Sequence, residues 1–179
     1  QGVLTVTGIT STNPASSYAD ELAVIRIPVG ASVMLFEDNF ETNKGWQRPF
    51  PVQDEWQLGV PQGLGAPDPD PVTGYDGPSV MGTDLTGFGV EAGNYPTGRV
   101  AQIRTPDIPI PAGTAATEIE YARWLNVGPG DYGRVGVGVP GGGKWFPNLV
   151  TFGVATWTID RLDIRDVAGG KDRLVVWFT

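Results

Sequence analysis

At 179 residues the chain suits one sizeable domain, and its 26 Gly and 16 Pro interrupt it too often for long helices. A net charge of −8 disfavours nucleic-acid and anionic-lipid partners, and no run of ~18 apolar residues is present to insert into a membrane. With neither Cys nor His there are no disulfides, thiol chemistry, cysteine zinc sites or imidazole bases, which leaves carboxylate chemistry or a metal held by oxygen.

In chain order, Val3-Leu4-Thr5-Val6-Thr7 alternates like a strand, and a Ser/Asn/Pro-rich loop follows through Tyr18. Ala23–Val29 and Val33–Phe36 are apolar and β-rich around Gly30 and Ala31, with a short helix over Tyr18–Arg26 as a competing reading. From Gly59 to Pro96 Gly, Pro and Asp dominate, around one strand-like run at Ser79–Thr83. A loop of that length inside a compact domain usually carries function or a metal. Ile119, Tyr121, Leu125 and Val127 alternate with Glu118, Glu120 and Asn126, the pattern of a half-buried strand. Val135, Val137 and Val139 alternate with Gly136 and Gly138, so one face packs and the other admits a close neighbour. Trp157–Ile164 and Leu174–Phe178 read as two further strands, and nothing repeats at a fixed period. Roughly eight or nine short strands joined by long loops predict an all-β sandwich of two antiparallel sheets with little or no helix.

A series of short motifs then carries a resemblance. It runs Phe36-Glu37-Asp38-Asn39-Phe40-Glu41, Gly45-Trp46, Trp56–Pro61, Gly82–Gly87, Gly93-Asn94-Tyr95-Pro96 and Thr105–Ile108. Tyr121–Trp124, Asp131–Val137 and Lys144-Trp145 continue it. In this order they resemble the MAM-like, galactose-binding-like jelly-roll modules attached to secreted bacterial metalloproteases of the immune inhibitor A type, and cleaved-adhesin domains. The resemblance implies a jelly roll over residues 34–179, with residues 1–33 as an N-terminal extension, extra strand or linker. Such modules close with a strand ending in paired acids, which does not follow Trp177-Phe178-Thr179 here. The expectation is a closing strand missing from this stretch, and a sheet edge open to strand addition from the N-terminus or a neighbour.

Glu37, Asp38 and Glu41 are the first metal candidates, because calcium takes six to eight oxygens from converging loops. In an extended strand Glu37 and Glu41 face one side and Asp38 the other, so convergence requires a bend. The resemblance implies that Glu41 joins Asp84 and backbone carbonyls around a structural calcium; the alternative is a set of solvated surface carboxylates. Asp68, Asp70 and Asp76 lack the spacing of a calcium loop, and Pro67, Pro69 and Pro71 favour a rigid, solvated polyproline stretch.

Tyr75, Tyr95, Trp145 and Phe146 lie in or beside Gly/Pro-rich loops and are candidates to stack on the apolar face of a sugar ring. Trp46, Trp56, Trp124, Trp157 and Trp177 lie in strand-like runs and read as core. Glu91, Glu118, Glu120 and Asp131 could be nominated as a glycosidase pair, but nothing around them marks them out, and no catalytic residue is assigned. Gly141-Gly142-Gly143-Lys144 lacks the spacing of a phosphate loop and reads as a hairpin tip.

The expectation is a non-catalytic, extracellular (secreted or cell-surface) recognition module. It would bind a polysaccharide or glycoprotein surface and be stabilised by calcium, as an accessory domain of a larger secreted protein. The competing expectation is an adhesive subunit that joins neighbouring copies of itself by strand addition into a filament or surface layer.

Overall fold

A computed structural model describes residues 2–6, 25–29, 33–49, 56–65, 69–87, 93, 100–113, 118–127, 130–150 and 156–179, with backbone alone for 2–6, 25–29 and 144–150. The chain divides into two compact units, Gln1–Met34 and Leu35–Thr179. In the first, β1 (Gly2–Val6) pairs antiparallel with β2 (Ile25–Val29), from Gly2 opposite Val29 to Val6 opposite Ile25. Ile25 and Arg26 are therefore strand and not helix, in keeping with the β-branched residues of Ile25-Arg26-Ile27-Pro28-Val29. The rest of the helix expectation, residues 18–24, lies outside the described residues.

The second unit is an all-β antiparallel fold. Its strands are β3 (Trp56–Gly59), β4 (Val80–Thr83), β5 (Ile103–Arg104), β6 (Ile108–Pro109), β7 (Glu118–Arg123), β8 (Gly133–Gly138), β9 (Lys144–Val150), β10 (Thr158–Asp163) and β11 (Arg173–Phe178). A single helical turn, α1 (Arg165–Ala168), connects β10 to β11. Asp163 accepts the Arg165 N–H at 3.0 Å where that turn begins, and the Arg165 guanidinium holds its carboxyl down at about 2. Val33–Phe36 is irregular and not the expected strand: Val33 and Met34 are exposed, while Leu35 and Phe36 pack against the core. Apolar content gave these residues somewhere to bury but no ladder partner.

The centre of the unit is β11. On one side it pairs with β8; on the other it pairs first with β6, at Arg173 and Leu174, and then with β5, at Trp177 and Phe178. Pro106, which has no N–H, separates β5 from β6. Thr105 spans the interruption: its N–H donates to the Val176 carbonyl at 2.9 Å, and its hydroxyl oxygen accepts the Val176 N–H at 3.0 Å. Flanked on both edges and covered on both faces, β11 buries Leu174, Val175, Val176 and Trp177. The register sets Trp177 opposite Gly136 and Val175 opposite Gly138, so the glycines of β8 face the larger residues of β11.

The β7–β10 pair covers the other side of the core. Ile119, Tyr121 and Leu162 pack against Val135, Val137, Leu174, Val176, Ile164 and Ala168. Glu118, Glu120, Arg161 and Asp163 alternate outward, as expected for a sheet with one wet face. The β3–β4 hairpin forms a separate two-stranded sheet, with Leu58 opposite Met81. Among the described residues no helix is long and apolar enough to cross a membrane.

Candidate functional site

Trp124 immediately follows β7 and Trp157 immediately precedes β10. Since Arg123 pairs with Thr158, antiparallel register brings both indoles to the same end of the ribbon. They meet edge to face, with centroids 5.8 Å apart and planes inclined by 71°. Trp157 in turn braces Tyr75, at 5.9 Å and 63°. Tyr75 remains 54% exposed, so one ring of this row faces solvent while a tryptophan packs against it. Below the row, Asp160 receives the Arg123 Nε–H at 2.5 Å and the Tyr121 hydroxyl at 3.3 Å, which matches the cation on that strand end. The indole Nε1 of Trp124 is buried with no hydrogen-bond partner.

The loop that presents Tyr75 is shaped by glycine and anchored by a carboxylate. The Gly74 N–H donates to the Pro78 carbonyl at 3.1 Å, closing a turn around Tyr75. A Cβ at buried Gly74 would collide with the Ser79 carbonyl, so only glycine fits. Glu41 holds the loop's far end, accepting the Ser79 N–H at 2.9 Å and its hydroxyl at 3.2 Å. At Gly77 φ is +101°, and a Cβ there would run into the Glu41 carboxylate.

The expected metal residues fall into separate settings. Asp38 spends both oxygens on its own turn, accepting the Phe40 N–H at 2.8 Å and the Trp46 indole N–H at 2.7 Å. Glu37 is exposed and its carbonyl accepts a hydrogen bond from Lys44. Glu41 serves Ser79, as above. Asp84, 6% exposed and at φ +45°, accepts the Gly93 N–H at 2.9 Å. Its charged neighbour is Asp70: half-burial first, and Asp84 second, push the Asp70 carboxyl up to about 6. Among the described residues no group of three or more His, Cys, Asp or Glu converges.

Of the other sugar-binding candidates, Tyr95 lies outside the described residues, and Trp145 and Phe146 are placed on β9 by backbone alone. By residue pattern alone Trp124 and Trp157 read as core and Asp70 as part of a solvated loop. Asp76 is indeed exposed, and Asp68 lies outside the described residues. The signal that could have found the tryptophans is their position just past the ends of two strands that pair. Two open clefts lie among the described residues. One, of about 310 Å³, is lined by Asn43, Trp46, Arg48, Leu58, Met81 and Ile103. The other, of about 290 Å³, includes Trp177, with the Arg104 guanidinium 5.7 Å above its ring and Asp107 3.1 Å from Arg104. No family model, curated protein or solved structure matches this chain.

Proposed function

We propose that this chain is a non-catalytic recognition module that binds carbohydrate through the Tyr75 platform. The observation that carries this reading is the exposed Tyr75 ring held in a T-shaped contact by Trp157, which Trp124 backs in turn. A pyranose presents an apolar C–H face to such a ring, and a ring already fixed by packing loses little freedom on binding. The resemblance to MAM-like jelly-roll modules of secreted proteins implies the same role and an extracellular setting. A structural calcium belongs to this proposal. Its support is the same resemblance, which implies Glu41 and Asp84 among the ligands.

The test is thermal melting against a panel of soluble polysaccharides. A ligand at ~100 times its Kd stabilises by about 2.7 kcal/mol, a shift of a few degrees for a domain this size. Tyr75→Ala should abolish the shift, and no shift with any polysaccharide refutes the reading. An identical melting temperature in excess chelator and in saturating calcium removes the ion from it.

A second reading, assembly by strand addition, is supported by β9 standing at the end of the five-stranded sheet. Pro147 deprives that strand of one donor and limits the ladder it could extend. Native mass decides: a monodisperse monomer sinks assembly, and high-mass species favour it.

A further inference from the structure

The charge of the chain is unevenly placed. Between Arg48 and Arg99 there is no Lys or Arg, while the same stretch holds Asp54, Glu55, Asp68, Asp70, Asp76, Asp84 and Glu91. The Tyr75 loop lies in the middle of this stretch. Asp76 adjoins Tyr75 and is exposed like it, and the Glu41 carboxylate is held against Gly77 and Ser79 in the same loop. The cations on the neighbouring strands are matched: Arg123 by Asp160, and Arg161 by Glu120. The exposed ring therefore has the Asp76 and Glu41 carboxylates in its own loop, a local negative charge that attracts cations and repels uronates and sulfated glycans.

The ring itself favours the same charge, because the face of a tyrosine is the negative part of its quadrupole and attracts an ammonium group. The geometry also selects the form of the ligand. With successive rings inclined by 63° and 71°, the row offers no common plane, so it cannot lie flat on a crystalline polysaccharide surface. A single chain or a chain end fits.

Resting on the carbohydrate reading above, we infer that the Tyr75 platform binds single chains of amino sugars with free ammonium groups, such as glucosamine oligomers, in preference to neutral or acidic glycans. The pyranose lies over Tyr75 while its ammonium group meets the Asp76 side of the loop.

The experiment is calorimetric titration of the whole chain with four oligomers of equal length, at low salt and a mildly acidic pH that protonates the sugar amines. The probes are glucosamine, its N-acetylated counterpart, a galacturonate and lysine. Glucosamine oligomers should bind at least ~10-fold tighter than the N-acetylated ones, and the gap should shrink as salt screens the field. Asp76→Asn, a change at an exposed position, should narrow that gap and leave N-acetylated binding unchanged. Tyr75→Ala should remove both. Equal or tighter binding of the N-acetylated or acidic oligomer overturns the amino-sugar preference while leaving the carbohydrate reading intact. Lysine oligomers binding as tightly as glucosamine oligomers overturn it as sugar recognition. Failure of every sugar removes both readings.

Discussion

The β11-centred sheet and the Gly/Pro/Asp segment around Tyr75 are held together in different ways. In the sheet, backbone ladders and two-sided apolar burial do the work: Leu174, Val175, Val176 and Trp177 are buried in succession. In the 69–87 segment few apolar groups are buried, and carboxylates act as connectors: Glu41 ties down Ser79, and Asp84 ties down Gly93. The first region should respond to lost volume and hardly to pH. The second should respond to charge, because carboxylates are among its connectors and Asp70 sits half-buried beside Asp84. A surface built this way can carry exposed Tyr75 without a second core beneath it.

The contrast can be broken at its strong end first. Ile103→Ala, at a residue with 0% exposure, should cost about 2–5 kcal/mol, measured as a lowered urea midpoint with unchanged slope. A loss below about 1 kcal/mol would mean that the sheet is not the stable region. Thr105→Val keeps the shape but removes the acceptor of the buried Val176 N–H, and should cost about 1–3 kcal/mol.

The acidic region is sharpened by pH. The Asp70 carboxyl titrates at about 6 in the fold and at 3.8 when unfolded. The folded state therefore binds the proton more tightly, and this group's contribution to stability falls as pH rises from about 4 to about 6. Asp70→Asn should gain stability above pH ~6 and none below pH ~4; solvent screening at a half-buried carboxyl holds the gain near 1 kcal/mol. A gain independent of pH would show that the ionised, half-buried Asp70 carboxyl is not its source. The smallest effect is expected at Trp124→Phe. The indole N–H lost there has no partner, so stability should stay within about 1 kcal/mol, checked by melting.

Much of this was legible in the residues, where a strand has one wet face. Alternation of Ile119 and Tyr121 with Glu118 and Glu120 announced β7, and the apolar run at Leu174–Phe178 announced β11, each with its true extent differing by a residue or a few. Tyr75 stood out because a ring in a loop of Gly, Pro and Asp has little core to enter, and the structure leaves it exposed. Val33–Phe36 misled because hydrophobicity shows that residues want burial, not whether a neighbouring strand is there to pair. Asp70 misled because the flanking prolines describe local backbone, whereas burial against Asp84 is a long-range event.

The sequence by itself determined the class of fold and the sign of the field: frequent Gly and Pro exclude long helices, and a 50-residue stretch without Lys or Arg is negative however it folds. Only the tertiary structure decided that Trp157 braces Tyr75, that Glu41 anchors Ser79, and that Asp70 meets Asp84. Those pairings join residues far apart in the chain. They are fixed by strand register and close packing, which no local pattern of residue types encodes.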